Sequence, residues 1–318
     1  MTHDLTIYQG PPILTIDQAV TAWLDEKHHR SESVPTQHAY RTTLQGFRDA
    51  LQSAGLDLAS DPALIAPLAQ GWAGHSAREG HTVTPATFNQ RLAIVSSFYE
   101  YAIRNDVLHY NPMERVKRRV VRSKNAARPI AGTRVKSGLQ QIDRSTPEGL
   151  RDFALLSVAL STGRRVSEIA GLRYKHLRRD GSTCIVEFER CKGNKHFTNR
   201  LEAKTTQALY TYLETVYPGQ LLALPGESPL WVSFSPRNRG AAISTRTLAS
   251  ICETYLGTSK FHATRHTWAV MMNKKGAKLT DISKGLGHSN VKITSDYLEE
   301  LTGYENAYAA QLEEEFGI

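Results

Sequence analysis

Three short clusters in this sequence carry side chains suited to a phosphate. In Thr162-Gly163-Arg164-Arg165-Val166-Ser167-Glu168, an apolar segment gives way through a glycine to two arginines that open the next helix. A guanidinium is always charged, and its planar fork of donors fits phosphate oxygens. A helix start adds unpaired backbone N–H groups nearby. The second cluster, His262-Ala263-Thr264-Arg265-His266, sets two imidazoles and a guanidinium on one helical face. Histidines at i and i+4 also suit zinc. Here Ala263 stands where H-E-x-x-H carries its general base, and Arg265 would repel a cation, so an anion fits the face better. The third is Leu286-Gly287-His288, with Tyr297 nine residues after the histidine. Tyr304 and Tyr308 follow 7 and 11 residues after Tyr297 on nearly the same helical face, so spacing alone does not choose among the three phenols. Taken singly, each cluster reads equally well as a capped helix end or ordinary core packing.

Charge along the chain favours a polyanion partner. The net charge of +8 over 318 residues is unevenly spread. Residues 1–113 hold 7 Lys/Arg against 11 Asp/Glu, residues 114–292 hold 32 against 13, and residues 293–318 hold none against 7. A basic middle with an acidic appendage fits a nucleic-acid-binding domain better than a uniformly solvated surface. The densest run lies in residues 114–136, where Arg115, Lys117, Arg118, Arg119, Arg122, Lys124, Arg128, Arg134 and Lys136 face Glu114 alone. Like charges so close resist compaction, so this segment reads as an extended linker. Along a duplex it would gain by releasing phosphate counterions.

The elements that must position these groups differ between the two halves. The first half reads as four helices. Thr15-Ile16-Asp17-Gln18 is a capping box followed by Val20, Trp23 and Leu24 at helical spacing. Tyr40, Leu44, Phe47 and Leu51 form a second stripe, stopped by Gly55. Asp61-Pro62 and Thr84-Pro85 each pair an N-cap with a proline at the first helical position, and Phe88, Leu92, Val95 and Tyr99 follow the second. The later half mixes helix and strand: an apolar helix over 150–160, a strand over 184–189, a helix over 205–217, a loop-rich stretch over 225–238, and helices after 264 broken at Gly276 and Gly287. Ser289 is placed to cap the helix carrying Tyr297. Three cysteines without a C-x-x-C pair argue against a disulfide framework and for a reducing compartment. No apolar run reaches the about 18 residues of a membrane span, so a soluble cytoplasmic protein, associated with the nucleoid, is expected.

Taken in order, T-G-R-R-V-S-E, C-K-G-N-K, H-A-T-R-H, L-G-H and Tyr297 resemble the tyrosine recombinase, or phage integrase, family over nearly the whole chain. The resemblance implies a mainly α fold with a small antiparallel β-sheet. A four-helix SAM-like core-binding domain over 1–113 would clamp DNA, a basic linker would span 114–136, and a mixed α/β catalytic domain with an acidic tail helix would fill 137–318. It also implies roles for individual residues. Arg165, Arg265 and His288 would hold the scissile phosphate, with His262 beside them and Glu168 in support. Lys192 would protonate the leaving 5′ oxygen, and Tyr297 would attack to give a 3′-phosphotyrosyl link. No metal or other cofactor is implied. The partners implied are double-stranded DNA, contacted by residues such as Arg115, Lys117, Arg118, Arg119, Arg122, Lys124 and Arg128, and three further copies of the chain in a synaptic tetramer. The tail, with Tyr304, Tyr308, Leu312 and Phe316 near helical spacing, would dock on a neighbouring copy.

Some positions depart from the family pattern. Arg164 stands where an apolar residue is usual, so choosing Arg165 as the first catalytic arginine rests on its register with V-S-E. Cys191 replaces a glycine before Lys192, which leaves Lys195 as the alternate lysine. Thr264 and Trp268 replace apolar and phenylalanine positions, with consequences for packing more than for chemistry. So few residues precede the first helix that an Xer-like enzyme without an arm-binding domain is expected. Competing readings are a monomeric type IB topoisomerase, a catalytically silent DNA-binding relative, and a nuclease or metalloenzyme built on His262 and His266.

Overall fold

A computed structural model describes residues 14–30, 34–76, 81–121, 128–191, 195–288, 290–302 and 314–315. The chain divides into two units, Met1–Lys124 and Asn125–Ile318.

The first unit holds α1 (Ile16–Arg30), α2 (Val34–Ser53), α3 (Pro62–Gly74) and α4 (Pro85–Arg104), followed by a single 3-10 turn at Pro112–Arg115. Their starts are set by side chains that satisfy otherwise orphaned N–H groups. Thr15 and Gln18 cap reciprocally, at 2.8 and 3.2 Å. Asp61 accepts from the Ala63 N–H, and Thr84 from the Thr87 N–H. The helices bury the stripes expected of them, with Trp23, Leu44, Phe47, Leu51, Phe88, Leu92, Phe98 and Tyr99 all inside. Trp23 meets Phe98 edge-on at 5.7 Å, and the buried Tyr99 hydroxyl donates to the Leu58 carbonyl at 3.1 Å.

The second unit holds α5 (Gly132–Gln140), α6 (Pro147–Thr162), α7 (Val166–Ala170), β1 (Leu177–Asp180), β2 (Thr183–Cys191), β3 (Lys195–Leu201), α8 (Ala203–Val216), α9 (Thr245–Leu256), α10 (His262–Lys274), α11 (Leu279–Leu286) and α12 (Val291–Thr302). The strands make one antiparallel sheet in the order β1-β2-β3, with Val186 facing Leu177 on one side and Asn199 on the other. The fold is therefore mainly α with a small antiparallel sheet. Its core joins Leu155, Leu156 and Val158 of α6 to Val186 and Phe188 of β2, Leu209 and Tyr212 of α8, and Trp231. A separate cluster of Ala269, Ile282, Leu286 and Leu298 binds α10, α11 and α12 together.

Within the stretch read as linker, the residues fall to both units. Val116 is buried in the first core, while Ile130 is buried in the second, and residues 132–136 are helical. Apolar burial of Val116 and Ile130 ties the segment to each unit. Arg122 and Lys124 lie outside the described residues, as do Lys192, Ser289, Tyr304, Tyr308, Leu312 and Phe316.

Candidate active site

The site begins where α6 ends. Gly163 takes a left-handed conformation (φ 63°) and donates its N–H to the Ala159 carbonyl. A side chain there would be strained, and its Cβ would lie 2.7 Å from the Trp268 ring. The turn delivers Arg164 and Arg165 in opposite directions. Arg165 precedes α7 and binds Glu168 twice, through its backbone N–H at 2.9 Å and its guanidinium at 3.0 Å. Its side chain is 28% exposed, so part of the donor fork faces the surface. Burial would raise the Glu168 carboxyl, but its two bonds to Arg165 and the nearby Arg164 charge outweigh that and hold it below the usual carboxylate range.

Arg164 turns inward and is 2% exposed. It donates to the Gly285 carbonyl at 2.5 Å, and its guanidinium lies 4.1 Å from the Phe197 ring of β3 and 5.5 Å from Phe188 of β2. Arg265, on α10, is equally buried. It donates to the Gly163 carbonyl at 3.0 Å and to the Leu286 carbonyl. Two guanidiniums thus bind the carbonyl end of α11, and one of them also binds the turn after α6. Helix C-termini carry partial negative charge, which favours cations there. Burial and the neighbouring Arg165 push Arg265 down to about 10, which leaves it charged at neutral pH.

Gly287 ends α11 in the left-handed conformation (φ 66°), with Phe197 so close that a Cβ would meet its ring at 2.4 Å. His288 follows, its Nδ1 2.9 Å from the hydroxyl of the fully buried Thr294 on α12. One turn beyond Thr294 is Tyr297, whose ring meets His288 edge-on at 5.6 Å and stacks on His266 at 5.0 Å. The Tyr297 hydroxyl and His266 Nδ1 are 2.5 Å apart. His266 in turn meets His262 edge-on at 4.6 Å. Burial, His262 and Arg265 push His266 down to about 4, and burial with Arg265 and Arg165 lowers His262, so both imidazoles are neutral at pH 7.

The structure therefore gathers Arg265, His262, His288 and Tyr297 into one corner of the second unit, with Arg165 and Glu168 on the turn that Arg265 binds. Lys192 lies outside the described residues, between β2 and β3 in sequence, while Lys195 opens β3 opposite Cys191. Three contributors had no role assigned by the family resemblance. From sequence, His266 has a named role only in the metalloenzyme reading, although its i+4 spacing from His262 places it on the site's face. Thr294 precedes Tyr297 by three residues, a spacing that puts both on one side of α12. Trp268 spans Gly163 and Gly285 and donates its indole N–H to the Ser161 carbonyl at 3.1 Å.

The basic residues of the linker are less uniform than their charges suggest. Asn89 grips the Arg119 backbone from both sides, at 2.7 and 2.9 Å. The Arg119 guanidinium lies 4.0 Å over the Phe88 ring, and Arg118 donates to the Asn89 carbonyl at 2.9 Å. Both therefore hold their segment on α4. Arg115, Lys117 and Arg128 are exposed.

Comparison with known proteins agrees with this geometry. Residues 132–302 match the phage integrase family. The tyrosine recombinase XerC of Myxococcus xanthus is 30% identical over 237 residues, covering 71% of this chain and 77% of that protein. The tyrosine recombinase XerD of Lacticaseibacillus casei is 24% identical over 225 residues, covering 69% and 74%. Among solved structures, the Tn1549 transposon integrase in complex with a circular intermediate DNA superposes with a TM-score of 0.65 at 17% identity, covering 96% of this chain and all of that one. The XerH site-specific recombinase bound to its difH substrate, in a post-cleavage complex, gives 0.62 at 16% identity, covering 96% and 84%. At such identities the structures speak for a shared fold. The sequence match extends from the start of α5 to the end of α12 and includes every element that shapes the corner around Tyr297, so this chain belongs to the phage integrase family.

Proposed function

We propose that this protein is a site-specific tyrosine recombinase, which cuts and rejoins double-stranded DNA through a 3′-phosphotyrosyl intermediate and a Holliday junction. The observation that carries the reading is the convergence of a phenol, two imidazoles and a buried guanidinium from α10, α12 and the turn after α11. Tyr297 is the nucleophile. Its attack stores the phosphodiester bond energy in a protein–DNA link, so religation needs no ATP. The transition state concentrates negative charge on phosphorus oxygens, and Arg165, Arg265, His262 and His288 are the donors for it. Each such preorganised donor contributes about 2.7–4 kcal/mol where it has been measured in an oxyanion hole. Glu168 fixes the Arg165 fork. Lys192, or Lys195 in its stead, protonates the 5′ oxygen.

Arg265 is held by two main-chain carbonyls before DNA arrives, which spares the site reorganisation when charge develops. The exposed Arg115, Lys117 and Arg128, with Arg122 and Lys124, contact phosphates, and Arg118 and Arg119 keep their segment in place on α4. The first unit clamps the duplex. Four copies assemble on two DNA sites, with the acidic tail docking on a neighbour, and the reaction runs in the cytoplasm. Among the described residues no helix is long and apolar enough to cross a membrane. The Xer relatives and the DNA-bound neighbours support this reading. The test is a plasmid carrying two copies of a candidate site. Recombinant circles that form in the presence of a chelator support it, whereas supercoil relaxation without recombinants points to a topoisomerase.

A further inference from the structure

Resting on that reading, we infer that His266 is the proton acceptor for the nucleophile: the phenolic proton of Tyr297 passes to His266 Nδ1 as the oxygen–phosphorus bond forms. The Tyr297 hydroxyl and His266 Nδ1 stand 2.5 Å apart, a short, direct hydrogen bond of the kind a general base needs. The rings are stacked at 22°, which fixes the phenol's direction as well as its distance. His262, by contrast, meets His266 edge-on and lies at the opening of α10, where its position suits a phosphate oxygen.

The step balances without a further reactant. The Tyr297 O–H bond breaks and its proton goes to Nδ1. The phenolic oxygen bonds to phosphorus, the bond from phosphorus to the 5′ oxygen breaks, and that oxygen takes a proton from the lysine. Religation reverses each transfer, and the imidazolium returns its proton to the phenolic oxygen. The acceptor must be neutral beforehand. Burial, His262 on its own helix and Arg265 beside it keep it so, while Tyr297 faces it from α12 and His288, on the turn after α11, meets the far side of the Tyr297 ring. A phosphate anion seated on Arg165 and Arg265 offsets the positive field that lowers this imidazole. Its basicity therefore rises when substrate is in place.

Single-turnover cleavage of a nicked suicide substrate by the full chain tests the assignment. H266A, and H266N, whose amide oxygen keeps an acceptor near the Nδ1 position without taking a proton, should bind DNA as wild type does. Both should cleave at least ~10²-fold more slowly at neutral pH. Their rates should climb toward wild type as alkaline solvent ionises the phenol without the imidazole's help. Replacing the leaving 5′ oxygen by sulfur, which removes the need for the lysine's proton, should leave the defect in place. If H266A fails to fold, H266N alone decides. Three results each overturn the assignment: a rate within threefold of wild type in either variant, no alkaline recovery, or a defect cured by the sulfur substitution. A wild-type chain that forms no adduct at all would instead sink the recombinase reading beneath it.

Discussion

The four helices of the first unit and the α10–α12 corner of the second bury very different chemistry. Inside α1–α4 the buried side chains are almost all apolar, and polar groups sit at helix ends where they cap. The corner buries Arg164, Arg265, His266, Thr264, Thr267 and Thr294 within a few turns of one another. Burying a guanidinium is costly unless it is partnered: the Gly163 and Leu286 carbonyls accept from Arg265, and Arg164 donates to the Gly285 carbonyl and lies against the Phe197 ring. A scaffold has no reason to bear that cost. A site that must present fixed positive charge to a phosphate does, because charge already desolvated and aimed needs no rearrangement during the reaction.

The difference is sharpest for Arg265. R265A strips a donor from the phosphate and leaves the Gly163 and Leu286 carbonyls without it. Cleavage should fall at least ~10²-fold, and stability should drop by about 2–5 kcal/mol, read from suicide-substrate kinetics and urea melts. R165A should lose comparable activity with far less stability, since that side chain is partly exposed and, among the described residues, its hydrogen-bond partner is Glu168 alone. Equal destabilisation by the two variants would break the contrast drawn here.

In the first unit the balance reverses. F47A removes a fully buried ring, so about 3–5 kcal/mol of stability should go. Folded, DNA-bound molecules should still cleave at the wild-type rate. A chemical defect in that variant would show that the two regions are not separable in this way.

Arg164 should give an intermediate effect. R164L restores the apolar residue usual in the family but removes a charged hydrogen bond to Gly285 and a cation–ring contact with Phe197. A hydrogen bond to a charged group is worth about 1.5–3 kcal/mol, so cleavage should fall roughly tenfold or more as the α11 end shifts beneath His288. Unchanged cleavage would make Arg164 a packing residue only.

A further effect is on the pH dependence of stability. His266 titrates near 4 when folded and near its ordinary 6.5 when unfolded, so between those values the unfolded chain binds more protons. Stability should therefore rise with pH across that window and be fully present above it. H266N should flatten the slope in a series of urea melts from pH 4 to 7, and an unaltered slope would assign it to other groups.

Much of this contrast is legible in the sequence alone. The apolar stripes Leu44/Phe47/Leu51 and Phe88/Leu92/Val95/Tyr99, together with proline-marked helix starts, report local physics that a sequence carries openly. The same holds for Gly163 and Gly287, whose left-handed turns end α6 and α11. Other features depend on distant partners and stayed hidden. β1 is Leu177-Arg178-Arg179-Asp180, with no alternation of its own, and becomes a strand only because β2 pairs with it. α5 formed inside a basic stretch because Ile130 and Val135 found a core. Arg164 reads as a surface charge until Gly285, 121 residues away, supplies its acceptor. His266 meets Tyr297 across 31 residues, so its partner could not be read from its own helix.

The most direct test of the account is the identity of the residue joined to DNA. A nicked suicide substrate should trap a covalent complex, and after digestion mass spectrometry should find the DNA 3′-phosphate on the peptide carrying Tyr297. Y297F should bind DNA and trap nothing. An adduct that persists in Y297F, or that maps to Tyr304 or Tyr308, would contradict the placement of the nucleophile in the corner described above.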